Sequence, residues 1–240
     1  MNPYTYLVKQ AARKAQAKRA KIFKSAFYYD EKTKILDLGS NGGSAINDLL
    51  KGTNFQPKNV YIADIESESE LLKKGNKKYG FTPYIVNESE SLPFEDDYFD
   101  IVYCSSTIEH VTIPKEKIWS LYSGHKFKTE SLKRQTEFAE EIRRVGKQYF
   151  VQTPNRYFPI ESHTWLPFIA LLPRWLLIPT LHMTNLFWVK KTSPDWHLLN
   201  KKEMSELFQG AEIVEENLFG MTKSIMAISS DLRVNKMSHS

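Results

Sequence analysis

Lys34-Ile35-Leu36-Asp37-Leu38-Gly39-Ser40-Asn41-Gly42-Gly43-Ser44 decides the fold of this chain. A short apolar run, the length of a buried strand, ends in an acid and a turn of small residues. A helical pattern from Ala45 to Leu50 follows at once. Strand, glycine-rich turn and helix in that order let a ligand approach bare backbone at the carboxyl end of a parallel sheet. Gly39 and Gly43 leave space where a side chain would collide with that ligand. Asn41 tolerates the left-handed backbone region better than most residues other than glycine. The turn is not a dinucleotide fingerprint, which needs glycine at its first, third and sixth positions. Counted from Gly39, those places hold Gly39, Asn41 and Ser44. A Walker loop is excluded too, because no Gly-Lys-Ser/Thr follows.

The neighbouring segments continue an alternation of strands and helices. Residues 4–27 read as a basic helix with Tyr4, Leu7, Val8, Ala11, Ala15 and Ile22 near one face. A second strand, Val60 to Ala63, ends at Asp64 and Ile65, with Asp64 lying 21 residues after Gly43. In doubly wound nucleotide folds an acid at that place meets ribose hydroxyls, and a carboxylate can accept two hydrogen bonds from a vicinal diol. Asp64 also reads as an N-cap for a helix over 67–78. A third strand spans 83–86. Asn87-Glu88-Ser89-Glu90-Ser91-Leu92-Pro93-Phe94 follows it, and Phe99-Asp100-Ile101-Val102-Tyr103-Cys104-Ser105 forms a fourth strand running into Glu109-His110.

Together these segments resemble the class I S-adenosylmethionine (SAM)-dependent methyltransferases of the type 11 group, over about residues 31–154. Asp37 to Gly43 is similar to their first motif, with Ser40 and Asn41 in place of a cysteine and a glycine. Glu88 to Phe94 is similar to their Asp-Ala-Glu-x-Leu-Pro-Phe segment. The resemblance implies a Rossmann-like α/β fold, with a doubly wound seven-stranded sheet in the order 3-2-1-4-5-7-6. SAM would be the cofactor. Asp37, Gly39, Ser40, Asn41 and Gly43 would hold its methionine part, Asp64 and Ile65 the ribose, and Glu88 with Ser89 the adenine. Ser105 would offer a carbonyl to the amino group. His110 is the first candidate for a general base, with a reference pKa of about 6.5; it also reads as a helix-capping residue. His163 is the second candidate. Cys104 reads as a buried strand residue. The histidines are scattered, and the acids lack metal-ligand spacing.

The chain fits one domain over 1–230, with a basic N-terminal helix (1–30), an insertion (154–198) and a disordered polar tail (231–240). The spacing predicts a flexible loop over 112–130, a helix over 130–145, a fifth strand over 148–152, and a helix from Lys201 capped by Asn200. Closing strands are expected over 212–217 and 224–229. Seven Lys/Arg precede the first acid, Asp30, within a formal net charge of +5. Such a segment attracts anionic lipid, nucleic acid or an anionic substrate, or is a solvated helix face. Few aromatics interleave with it, which argues against nucleic acid. One cysteine and no apolar leader favour a cytoplasmic setting, peripheral to the inner membrane surface if lipid is bound.

The insertion carries Trp165, Trp175, Trp188 and Trp196 among several prolines, and from Trp165 to Val189 its one formal charge is Arg174. The prolines argue against a membrane span. Two short amphipathic helices forming a lid, or dipping into a membrane interface, are the expectation; a dimer contact or an added core layer is the alternative. Residues 153–164 resemble, more loosely, methyltransferases of bacterial glycan and lipid-linked sugar synthesis. The expected acceptor is therefore an amphiphilic, glycan or lipid-linked hydroxyl. The alternatives are a quinone- or polyketide-like phenol, or a SAM-binding partner subunit without turnover.

Overall fold

The computed structural model describes residues 3–39, 41–87, 91–218 and 220–231. Seven strands form one sheet: β1 (Ile35–Leu38), β2 (Val60–Ile65), β3 (Thr82–Val86), β4 (Phe99–Ser105), β5 (Gly146–Pro154), β6 (Glu212–Leu218) and β7 (Met221–Ser229). Their order is β3-β2-β1-β4-β5-β7-β6, as the resemblance implied. β1 to β5 are parallel, and β7 enters antiparallel between β5 and β6.

Alternation along the buried strands divides the core into two layers, because successive side chains point to opposite faces. Leu36, Leu38, Val102, Cys104 and Val151 pack beneath α4 (Gly124–Val145) and α6 (Lys201–Leu207). Ile35, Ile62, Ile101, Tyr103 and Phe150 pack on the other face. There they meet Phe23 of α1 (Pro3–Ala26), Ile46 of α2 (Ser44–Leu50) and Leu72 of α3 (Ser69–Tyr79). The side chains of Tyr4, Leu7, Val8 and Ala11 lie outside the described residues, while Ala15 is buried as expected. Asn200 closes a capping box with Glu203 at the start of α6.

Two local expectations are corrected. Residues 112–130 are not a flexible loop: α4 begins at Gly124, capped by the Ser123 hydroxyl, and Ile113, Ile118 and Phe127 are buried together. The insertion contains one longer helix, α5 (Arg174–Phe187), after a 3-10 turn at Ile169–Leu171, and not two short ones. Pro179 lies within α5. It removes a single intrahelical donor and is carried by the burial of Leu177, Ile178 and Leu181.

α5 is also fixed in place. The buried Arg174 guanidinium donates to the carbonyls of Leu121 (2.7 Å), Pro194 (2.9 Å) and Ile118 (2.5 Å), and lies 3.6 Å from the Phe127 ring centroid. Trp188 Nε1 donates to Thr164 O at 2.8 Å, and Lys190 Nζ to Ser162 O. Among the described residues, no helix is long and apolar enough to cross a membrane.

Candidate active site

The β1 turn runs through a series of left-handed residues: Gly39 (φ 76°), Asn41 (φ 46°), Gly42 (φ 79°) and Gly43 (φ 75°). The glycines are required by the fold itself. A Cβ on Gly39 would lie 2.2 Å from the Thr107 side chain, and one on Gly43 would lie 2.9 Å from Phe81. α3 presses on the turn as well, since a Cβ on Gly75 would stand 2.4 Å from Gly42 O. Packing within the fold is therefore a second reason for glycine at 39 and 43.

Asp64 fixes the turn. Its Oδ2 accepts from Asn41 N at 3.0 Å, and its Oδ1 from Ile65 N at 2.9 Å. It does not cap α3, whose N-cap is Glu68. Each carboxylate oxygen keeps a further lone pair for a ligand at the sheet's carboxyl end. Asp37 is buried on the α1 face, level with Tyr103, and its Oδ2 has no hydrogen-bond partner among the described residues. Burial, with the nearby Asp64 charge, pushes its carboxyl well above the usual range. Ser105 ends β4 and donates through Oγ to Gln152 Oε1 at 2.6 Å. Ser40, Glu88 and Ser89 lie outside the described residues.

Past β4 the chain makes a 3-10 turn at Ile108–His110, and four segments converge there. Glu109 is fully buried; its Oε2 accepts from Thr153 Oγ1 at the end of β5 (3.0 Å), and its Oε1 has no hydrogen-bond partner among the described residues. His163 Nε2 lies 3.8 Å from that oxygen. Glu161 holds the other side of the His163 ring, with Oε1 2.5 Å from Nδ1, while its carboxylate also accepts from the backbone of His163 and Thr164. The His110 ring stands edge-on to His163 with centroids 4.7 Å apart, and its Nδ1 faces Asp195 Oδ2 at 3.4 Å. Trp196 stacks on His163 at 5.7 Å.

The charges here perturb one another. Burial alone pulls the His110 imidazole down, but Asp195, Glu109 and Glu161 together leave it raised. Burial holds the Glu109 carboxyl up against the two histidines. Glu161 and Asp195 are lowered because their imidazole and backbone donors outweigh burial. Cys104 is buried, and burial pushes its thiol far up, which removes it as a nucleophile.

Both sequence-predicted histidines therefore meet in one cluster. Spacing missed its other half: Glu161 and Asp195 are distant in sequence from His110 and reach it only because the insertion folds back. The histidines near the site are not scattered in space, and this overturns the reading made from their spacing.

Residues 36–149 match the family model described as a methyltransferase domain. No curated protein matches the chain. Among solved structures, it resembles a putative O-methyltransferase from Nostoc punctiforme at 14% identity and TM-score 0.55, covering 94% of this chain and 60% of that one. It also resembles magnesium protoporphyrin IX methyltransferase from Synechocystis, determined with bound SAH, at 10% identity and TM-score 0.51, covering 96% and 89%. A third is a chain in the complex of a putative methyltransferase with its activator from Haloferax volcanii: 13% identity, TM-score 0.51, covering 90% and 88%. At these identities the likeness is one of fold.

Proposed function

We propose, from the match of residues 36–149 to the methyltransferase-domain family model, that the chain is a SAM-dependent methyltransferase acting on a hydroxyl group of an amphiphilic, glycan or lipid-linked acceptor. The observation that carries this reading is the Glu109–His110–His163 cluster at the mouth of β4 and β5, walled by a segment whose outer side is apolar.

The residues present fit SAM. The buried, unpartnered Asp37 Oδ2 and the Asp64 carboxylate lie at the ends of β1 and β2. Asp37 and the Gly39 backbone would hold the methionine part, Asp64 the ribose hydroxyls, and Ser105 O the amino group. When bound, SAM supplies a methyl group activated by a sulfonium centre. The chain's own task is alignment and proton removal; well-oriented intramolecular reactions gain on the order of 7–11 kcal/mol. His110 suits the second task. Asp195 holds its Nδ1, which leaves Nε2 to take a hydroxyl proton, and the raised His110 affinity for that proton helps.

The outer side of the insertion supports an acceptor with an apolar part. Phe168, Trp175, Met183, Leu186 and Phe187 are exposed, with Leu186 83% accessible. On α5 the exposed residues are 175, 176, 179, 182, 183, 186 and 187, one side of the helix that is apolar apart from His182. Lys191 follows it, and Lys115 and Lys117 lie on the segment that Arg174 grips. An apolar stripe beside cations suits an anionic bilayer surface. The test is calorimetric titration of the chain with SAM and with its demethylated product. Both should bind, and Asp64→Ala should weaken both; no binding to the intact chain would end the proposal.

A further inference from the structure

We infer that Glu109, His110 and His163 form a binding site for one divalent transition-metal ion. The chemistry of the three side chains and what stands behind each of them lead to this assignment. One ligand atom from each residue lies within 4.8 Å of those of the other two. Donors around a tetrahedral ion with bonds of about 2.0–2.1 Å stand roughly 3.3 Å apart. The 3.8 Å between Glu109 Oε1 and His163 Nε2 would close by about half an ångström around an ion, and the pairs with His110, all within 4.8 Å, by at most about 1.5 Å.

The outer contacts are those a metal site needs. Glu161 takes the Nδ1–H of His163, so that ring presents the lone pair of Nε2 to Glu109. Asp195 Oδ2 stands 3.4 Å from Nδ1 of His110, on the side of the ring away from Nε2. A carboxylate behind each histidine fixes the tautomer and raises the basicity of the ligating nitrogen. Thr153 orients Glu109 through Oε2 and leaves Oε1 without a partner in a fully buried position. An imidazole lone pair facing an unpartnered carboxylate oxygen is repulsive unless a proton or a metal ion lies between them.

Two imidazoles and one carboxylate, with no thiolate, select a mid-series ion such as zinc, cobalt, manganese or iron over magnesium or calcium. The His110 side chain is 36% exposed, so the fourth position opens to solvent. This part of the inference rests on the proposed methyl transfer. An acceptor hydroxyl bound there through oxygen has its proton acidity raised by the ion. The proton leaves to solvent past His110, the oxygen forms a bond to the methyl carbon, and the carbon–sulfur bond breaks to leave a neutral thioether. Histidine then acts as ligand, and the ion replaces the imidazole as the group that activates the hydroxyl.

The test reads metal directly. The full chain, prepared without a polyhistidine tag and stripped with chelator, is titrated with Co²⁺ followed by visible absorption, and with Zn²⁺ by calorimetry. One ion per chain is expected, with cobalt ligand-field bands and much weaker Mg²⁺ binding. Glu109→Gln and His163→Gln should abolish the bands. Glu161→Gln, which leaves every ligand in place, should weaken binding by roughly 10–100-fold. SAM titration of each variant verifies that it is folded. Absence of stoichiometric Co²⁺ and Zn²⁺ binding by the wild type, or equal binding by folded Glu109→Gln, overturns the assignment. Metal binding without SAM binding would leave this site standing and remove the proposed function; the converse would return His110 and His163 to proton transfer alone.

Discussion

Acid should destabilise this protein through His197 between about pH 6.5 and 5, above the usual carboxylate range. His197 is buried beside the active-site turn, where its backbone N–H donates to Glu109 O at 2.7 Å. Gln135 fixes its protonation. Gln135 Nε2 donates both hydrogens, to Ile108 O (2.9 Å) and His197 O (3.0 Å), so its Oε1 must accept from His197 Nδ1 at 2.9 Å. His197 Nε2 has no hydrogen-bond partner among the described residues, and burial pulls the imidazole from 6.5 down to about 4. The unfolded chain therefore binds the extra proton first. The stability from a neutral His197 is complete above about pH 6.5 and is lost as pH falls toward 4. The full window is worth roughly 3 kcal/mol, and about 2 kcal/mol of it is gone by pH 5. Against a typical total of about 5–15 kcal/mol this is a large share. Urea unfolding at pH 7 and pH 5 should show it as a midpoint shift close to 1 M, for a slope of about 2–3 kcal/mol/M. His197→Gln keeps a donor for Gln135 but cannot titrate, and its midpoint should move much less. Parallel pH dependence in the two proteins would refute the argument.

Arg174→Met keeps the aliphatic stem but removes three hydrogen bonds to buried carbonyls. It should cost about 3–5 kcal/mol in urea unfolding, less than the summed bonds because the guanidinium's desolvation is relieved. His110→Ala should lower saturated turnover by roughly 10²–10⁴-fold while SAM affinity stays near wild type; unchanged turnover would make His110 structural. The wild type should sediment with anionic liposomes at low salt. Trp175→Ser with Leu176→Ser should reduce sedimentation, and loss of a dimer instead would make the stripe a subunit interface.

What was legible in the sequence was what is local. Ile35 to Ser44 declares a strand, turn and helix because burial, acid and small residues follow one another within a few positions, and sheet order followed from the family those motifs resemble. The packing reason for Gly39 was not legible. Thr107 presses on it from the turn after β4, and no spacing rule links residues 39 and 107. The start of α4 was missed for a similar reason. Gly124 is a poor helix former by propensity, yet Ser123 caps the helix and Phe127 buries against Ile113 and Ile118. Asp195 was invisible as a site residue because it reaches His110 only after the insertion has closed on itself, and Glu161, although it holds His163 within one local turn, carries no motif that marks it.

The insertion is then better understood as a wall than as a lid. Arg174 ties the start of α5 to Ile118, Leu121 and Pro194, while Trp188 and Lys190 tie its end back to Thr164 and Ser162. Opening it would break all five bonds and expose Leu177, Leu181 and Trp196, three large apolar side chains worth roughly 1.5–3 kcal/mol each in burial. A flap that costs this much does not open in every catalytic cycle. Its inner side supplies Glu161, His163 and Asp195, and its outer side supplies the apolar stripe. Without it β4 and β5 would present Glu109, His110 and Thr153 alone, with no carboxylate behind the His110 imidazole and no second imidazole for an ion. On the proposed function, an acceptor approaches across a preformed rim, its hydroxyl reaching the cluster while its apolar part stays against the stripe. Selectivity would then lie in the length between those two ends, a property set by a segment that the methyltransferase-domain match at 36–149 does not include.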